Sequence, residues 1–174
     1  MGGLSLSEMI LKCFGKLGFL SVGTFPARLV DEGRLFYYSE VTALNNASRI
    51  IHIKTGYKNC YVSASLASGL EATVTLLENP TVTGNGTALE ILNYNRDDKD
   101  DNLLTKIYNT PTVTGSTGKQ IKANQSGYGT VPGQAQSGAS GSERAYKLKK
   151  NSSYVYTITM TGNSKIVLGL ELFE

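Results

Sequence analysis

The chain has no tryptophan, one histidine, two cysteines and four prolines, and each scarcity closes a class of readings. Two cysteines, Cys13 and Cys60, are too few for a disulfide scaffold, so each is expected to act as a small apolar filler. One histidine, His52, with two distant cysteines cannot assemble a zinc site from soft ligands. It also leaves the many serines one base to share, and no Gly-x-Ser-x-Gly elbow is present. No run of about 18 apolar residues exists, so no membrane span is expected. The opening stretch "MGGLSLSEMILKCFGKLGFLSVG" lacks a basic start, and Glu8, Lys12 and Lys16 break its apolar run, unlike a signal peptide. Leu6 stands where a myristoylation signal needs Ser or Thr. The expectation is a soluble, unprocessed protein. The charge excess is also small. Seventeen Lys and Arg against fourteen Asp and Glu give +3, and the basic residues are scattered, which argues against nucleic acid as a partner.

The length of 174 residues suits one domain with a full core. Nineteen glycines, ten tyrosines and many Thr, Ser and Asn lean toward a β protein rich in turns. From Arg34 onward the apolar period is two. The segments "RLFYYSEVTAL", "SRIIHIK", "CYVSASLAS", "EATVTLLEN", "TALEILNY", "LLTKIYN", "RAYKLKK", "SYVYTITM" and "SKIVLGLELF" read as about nine short strands between Gly, Asn and Pro signals. Val62, Ala64 and Leu66 share one face of their strand, as do Ala72, Val74 and Leu76 of the next. Strands this numerous, with no helices between them, specify an all-β antiparallel sandwich or barrel. Arg144, Lys147, Lys149 and Lys150 suit a solvated edge strand.

Two segments stand apart. Residues 1–23 form an expected N-terminal arm, in which Ser5-Leu6-Ser7-Glu8 has the form of a capping box and Met9, Ile10, Cys13, Phe14 and Leu17 fall at helical spacing. A short amphipathic helix of this kind is marginal alone and must dock on something. The sandwich domain then covers 24–174, with a Gly-rich loop at 125–142. Inside the domain "PTVTG" occurs twice, with Pro80 and Pro111 thirty-one positions apart. The residues between the copies do not match and no third copy follows, so this is a turn-and-strand element used twice, not a solenoid repeat.

Chemistry-bearing motifs are weak. "GSTGKQ" has Val113 where the first Walker glycine belongs and Gln120 in place of its Ser or Thr, and "GYGTVPG" puts Pro132 at the third dinucleotide-fingerprint glycine. Asp97 to Asp101, "DDKDD", lacks the Gly and terminal Glu of an EF-hand loop and reads as an acidic turn. His52 alternates with Ile51 and Ile53 and reads as a structural or surface residue. No catalytic residue, cofactor or metal ligand is expected. Tyrosines are the side chains with binding capacity, and Tyr154 and Tyr156 share a face that reads equally as core or as contact surface.

The order of the longer phrases carries more. "IIHIKTGYKNCYVSASLASGLEATVTLLENPTVTGNGTALEILNYNR", "YNTPTVTGSTGKQI", "ERAYKLKKNSSYVYTITMTGN" and "GLELFE" together resemble a family of tailed-phage virion proteins that decorate or cement the capsid. The resemblance covers about Arg49 to Glu174. It implies a jelly-roll-like sandwich without catalytic activity, made in the host cytoplasm and placed on the outer capsid surface of the virion. It also implies the major capsid protein and the chain itself as partners, with a homo-trimer favoured and a dimer possible. Members usually carry "NRNS" where this chain has Asn95-Arg96-Asp97-Asp98, and an aromatic pair where it has Phe173 alone. On that reading the arm anchors through Met9, Phe14, Leu17 and Phe19, and the Gly-rich loop through Tyr128, Val131 and Pro132. The other reading is a carbohydrate or host-receptor binding module using exposed Tyr and Asn side chains.

Overall fold

Alternation in the long strands leaves one dry face each, and two such faces meet. The computed structural model describes residues 29–97, 103–114, 118–126 and 145–174. The chain runs through β1 (Leu35–Asn45), β2 (Ser48–Lys54), β3 (Cys60–Ser68) and β4 (Ala72–Glu78), which fall alternately into two sheets. An excursion follows with β5 (Val82–Gly84), β6 (Thr87–Ala88), β7 (Leu92–Asn93), β8 (Lys106–Asn109) and β9 (Thr112–Val113). The return passes through β10 (Lys119–Ser126), β11 (Tyr146–Leu148), β12 (Ser153–Met160) and β13 (Asn163–Phe173).

The pairing is nested. β1 lies against β13, β2 against β12, β3 against β11 and β4 against β10, all antiparallel. The β3–β13 and β4–β12 ladders join these pairs into one sheet of order β11-β3-β13-β1-β7 and a second of order β10-β4-β12-β2-β8-β6. Eight main strands wired this way are a jelly-roll sandwich, so the expected fold class holds. The core between the sheets takes Ile51 and Ile53 from β2, Leu76 from β4, Ile158 from β12 and Ile166, Leu168, Leu170 and Leu172 from β13. Burying each such side chain contributes about 1.5–3 kcal/mol. Val62 and Ala64 face this core, as do Ala72 and Val74, and Leu66 packs against it half-buried. Tyr154 and Tyr156 are also core, 1% and 3% exposed, which decides between their two sequence readings.

Three departures from the sequence reading have physical causes. No strand is expected over "KQIKANQS", yet it forms β10, which among the described residues is an edge strand of its sheet and pairs with β4 alone, through a bulge between Gln120 and Lys122. An edge strand needs one partner and tolerates polar side chains. It also carries strand structure through Ser126, two residues into the expected Gly-rich loop. "TALEILNY" is not one strand: Thr87–Ala88 joins β8 in one sheet and Leu92–Asn93 joins β1 in the other, so the segment crosses between layers. The two "PTVTG" phrases pair with each other. Val82 faces Val113 and Gly84 faces Thr112 in a separate two-stranded ribbon, and the Thr114 N–H donates to the Thr81 carbonyl at 2.9 Å. The central valines of the two copies, Val82 and Val113, meet as cross-strand partners, so the phrase pairs antiparallel with its own repeat.

The arm 1–23 and most of the loop 125–142 lie outside the described residues, and with them Met9, Phe14, Leu17, Phe19, Tyr128, Val131 and Pro132.

Candidate interaction surface

Among the described residues, His52, Cys60 and Glu174 help to hold the sandwich. His52 points away from the core beneath a Tyr108 ring 5.6 Å away, and its Nε2 shares a 2.7 Å hydrogen bond with Ser153 Oγ. Its Nδ1 is buried and has no hydrogen-bond partner, so no carboxylate orients the ring as a base would require. Burial, then the nearby Lys54 charge, pushes its pKa below the ordinary histidine value. Cys60 is a free thiol, fully buried, whose pKa burial pushes up to about 11; it is the inert filler expected. Beside it the Glu174 carboxylate accepts from the Leu104 N–H at 3.0 Å and from the Thr105 N–H and hydroxyl at 3.0 and 2.6 Å. Its backbone oxygen accepts from Arg34 Nε at 2.5 Å, so this residue ties β13 to the segment before β8.

A second polar cluster bridges the layers. Tyr38 and Glu40 of β1 meet Arg49 of β2 where β1 and β2 border the excursion. The Arg49 guanidinium donates side-on to Glu40 from Nε at 2.7 Å and from its terminal nitrogen at 2.5 Å, and it also donates to Asn109 Oδ1 on β8. The Tyr38 hydroxyl donates to Glu40 at 2.7 Å. Burial and the Glu40 charge raise the Tyr38 pKa. Burial works against the Arg49 charge, and Glu40 more than restores it. The arginine and glutamate side chains are 14% and 15% exposed, so the pair is a clamp rather than a site open to substrate. Nothing in the sequence singled it out, because the partners are joined by tertiary contact across two sheets.

No group of three or more His, Cys, Asp or Glu that could hold a metal occurs among the described residues, and no described helix is long and apolar enough to cross a membrane. Of the Asp97–Asp101 turn, only Asp97 is described.

No family model, curated protein or solved structure matches the chain. The fold alone does not choose a function, because sandwiches of this wiring host many.

What the surface does offer is a sheet face of small side chains. On the outside of the β11-β3-β13-β1-β7 sheet the strands present Ser39, Val41 and Ala43 from β1, Val167 and Gly169 from β13, and Ser65 and Ala67 from β3. Val41 is 66% exposed and Val167 48%, and they are direct cross-strand partners. One end of the face is walled by stacked Tyr61 and Phe173 and by Tyr37 tilted on Tyr94, with centroids at 4.7 and 4.5 Å. Alternation made this face legible in part: with Val62, Ala64 and Leu66 expected on one face of β3, Tyr61, Ser63 and Ser65 fall on the other. A separate open cleft of about 310 Å³ lies between the layers near β7 and β8, lined by Phe36, Leu89, Ile91, Leu103 and Ile107.

Proposed function

We propose that the chain is a structural virion protein that decorates and stabilises a tailed-phage capsid through contacts with itself and with the capsid lattice. The carrying observation is the division of labour on the surface. Among the described residues His52 Nε2 and the Arg49–Glu40 pair are engaged in internal bonds, whereas the exposed valines Val41 and Val167 sit side by side on a sheet face of small side chains, a surface suited to another macromolecule rather than to a small ligand. The ordered phrases from Arg49 to Glu174 support the same reading, and so does the jelly-roll wiring that the resemblance implies. A lattice multiplies weak contacts, so each subunit needs only a modest patch to stay bound. Co-sedimentation of purified protein with capsid shells tests this reading. Saturable binding at about one oligomer per lattice position supports it, and protein that stays in the supernatant overturns it.

Exposed Tyr57 and Tyr94, 65% and 39% accessible, favour the second reading, a glycan or host-receptor binding module. Specific glycan binding at about micromolar strength, with no capsid binding, would select it.

A further inference from the structure

We propose that the outer face of the β1–β13–β3 sheet joins two copies of this chain, related by a two-fold axis that lies in the contact plane and crosses β13 at Leu168. The outward residues of β13 include Lys165, Val167, Gly169 and Glu171, and Leu168 is their midpoint. A two-fold across the strand at that point reverses the order, so Lys165 of each copy comes over Glu171 of the other. The charges attract at two symmetric places. An axis along the strand would instead set Lys165 on Lys165 and Val167 on Val167.

The same operation matches shapes. Cross-strand register places Val41, Val167 and Ala67 in one row and Ser39, Gly169 and Ser65 in the next. The two-fold lays the first row of one copy over the second row of the other, so the projecting valines enter a trough floored by Gly169. Ser65 Oγ borders this trough on the β3 side, 2.6 Å from where a Cβ on Gly169 would stand. Sheets stacked face to face cross at about 30°, which shifts residues three positions from the axis by roughly 5 Å, within reach of a lysine side chain. Three strands of this length offer on the order of 500 Å² in plan, at the low end of stable interfaces, so the pair is expected to be weak and to gain from further contacts. The resemblance favours trimers, whereas the symmetry of this face favours pairs.

Sedimentation equilibrium of the full chain without capsids tests the contact, so its failure is distinct from failure of capsid binding. The wild type is expected to dimerise. Lys165→Glu and Glu171→Lys each set like charges together twice per dimer and are expected to weaken it roughly tenfold, while the double reversal restores it to within about threefold. Val41→Glu, at a position with room for any side chain in the monomer, should abolish it. Thermal melts near wild type confirm that each variant is folded. A monomer at every concentration, a trimer, a dimer indifferent to the single reversals, or a double reversal weaker than both singles overturns the proposal. A monomer would assign the face to another occupant, such as residues 1–23 or a different protein.

Discussion

Asn79 and Thr110 hold the same place in the two copies of one phrase, each just before its proline, and both adopt a left-handed backbone with φ of 51° and 50°. Asparagine visits this region readily, but a β-branched residue there is strained. Thr110→Asn is therefore expected to stabilise the fold by about 0.5–1 kcal/mol in urea titration, since it gives the second turn the residue the first already has. No change, or a loss, would mean that Thr110 is held by contacts worth more than the strain. His52 yields a prediction of opposite character. Burial and Lys54 lower its folded pKa, so between the unfolded value of about 6.5 and the folded one the unfolded chain takes up the proton first. The stability that His52 contributes is complete above that range and falls as pH drops through it. His52→Phe should flatten the stability profile between about pH 7 and 5.5, before carboxylates begin to titrate. That His52 is structural was legible from its alternation with Ile51 and Ile53. Its orphaned Nδ1 and its serine partner were not, because Ser153 is a neighbour only through the β2–β12 ladder.

At the level of elements, the strands that read clearly are those buried on one face along their whole length. β3, β4 and β13 follow the expected alternation because a two-residue period with a dry side is a local property of sequence, whereas β2 and β12 are buried on both faces where His52 lies beside Val155. β10 was missed for the converse reason: as an edge strand it is specified by its pairing with β4, not by its own pattern. The ribbon of β5 and β9 was legible as one turn-and-strand element used twice, and its closure on itself was a long-range fact. The Arg49–Glu40 clamp spans only nine residues but joins strands of different sheets, and it makes a testable statement about how the two layers are joined. Arg49→Met leaves the largely buried Glu40 carboxylate without its cation and is expected to cost about 3 kcal/mol. Arg49→Met combined with Glu40→Leu removes both charges and should lie within about 1 kcal/mol of wild type. Chemical denaturation of the singles and the double closes the cycle, and a double as unstable as the sum of the singles would show that packing, not charge pairing, holds that corner.

For the whole molecule, the wiring decides how the fold is reached. Consecutive main strands lie in opposite sheets, so β1 and β2, β3 and β4, or β12 and β13 never pair, and no hairpin of long strands can nucleate locally. The least distant ladder of long strands, β4 with β10, already joins Glu78 to Lys119 across the whole excursion. The outermost, β1 with β13, runs from Leu35 against Phe173 to Asn45 against Asn163 and closes only when the ends of the described domain meet. Loop-closure entropy must be spent before these contacts return anything, which places such folds at the slow end of the range. Dilution from denaturant is expected to give refolding in roughly a second or longer, followed by tyrosine fluorescence of the buried Tyr154 and Tyr156. Recovery complete within microseconds would mean that pairing begins from contacts more local than this topology contains. Slow closure also leaves the edges of β1 and β13 open to other chains while folding proceeds, so refolding yield should fall as protein concentration rises, whereas the rate of the productive phase should not change.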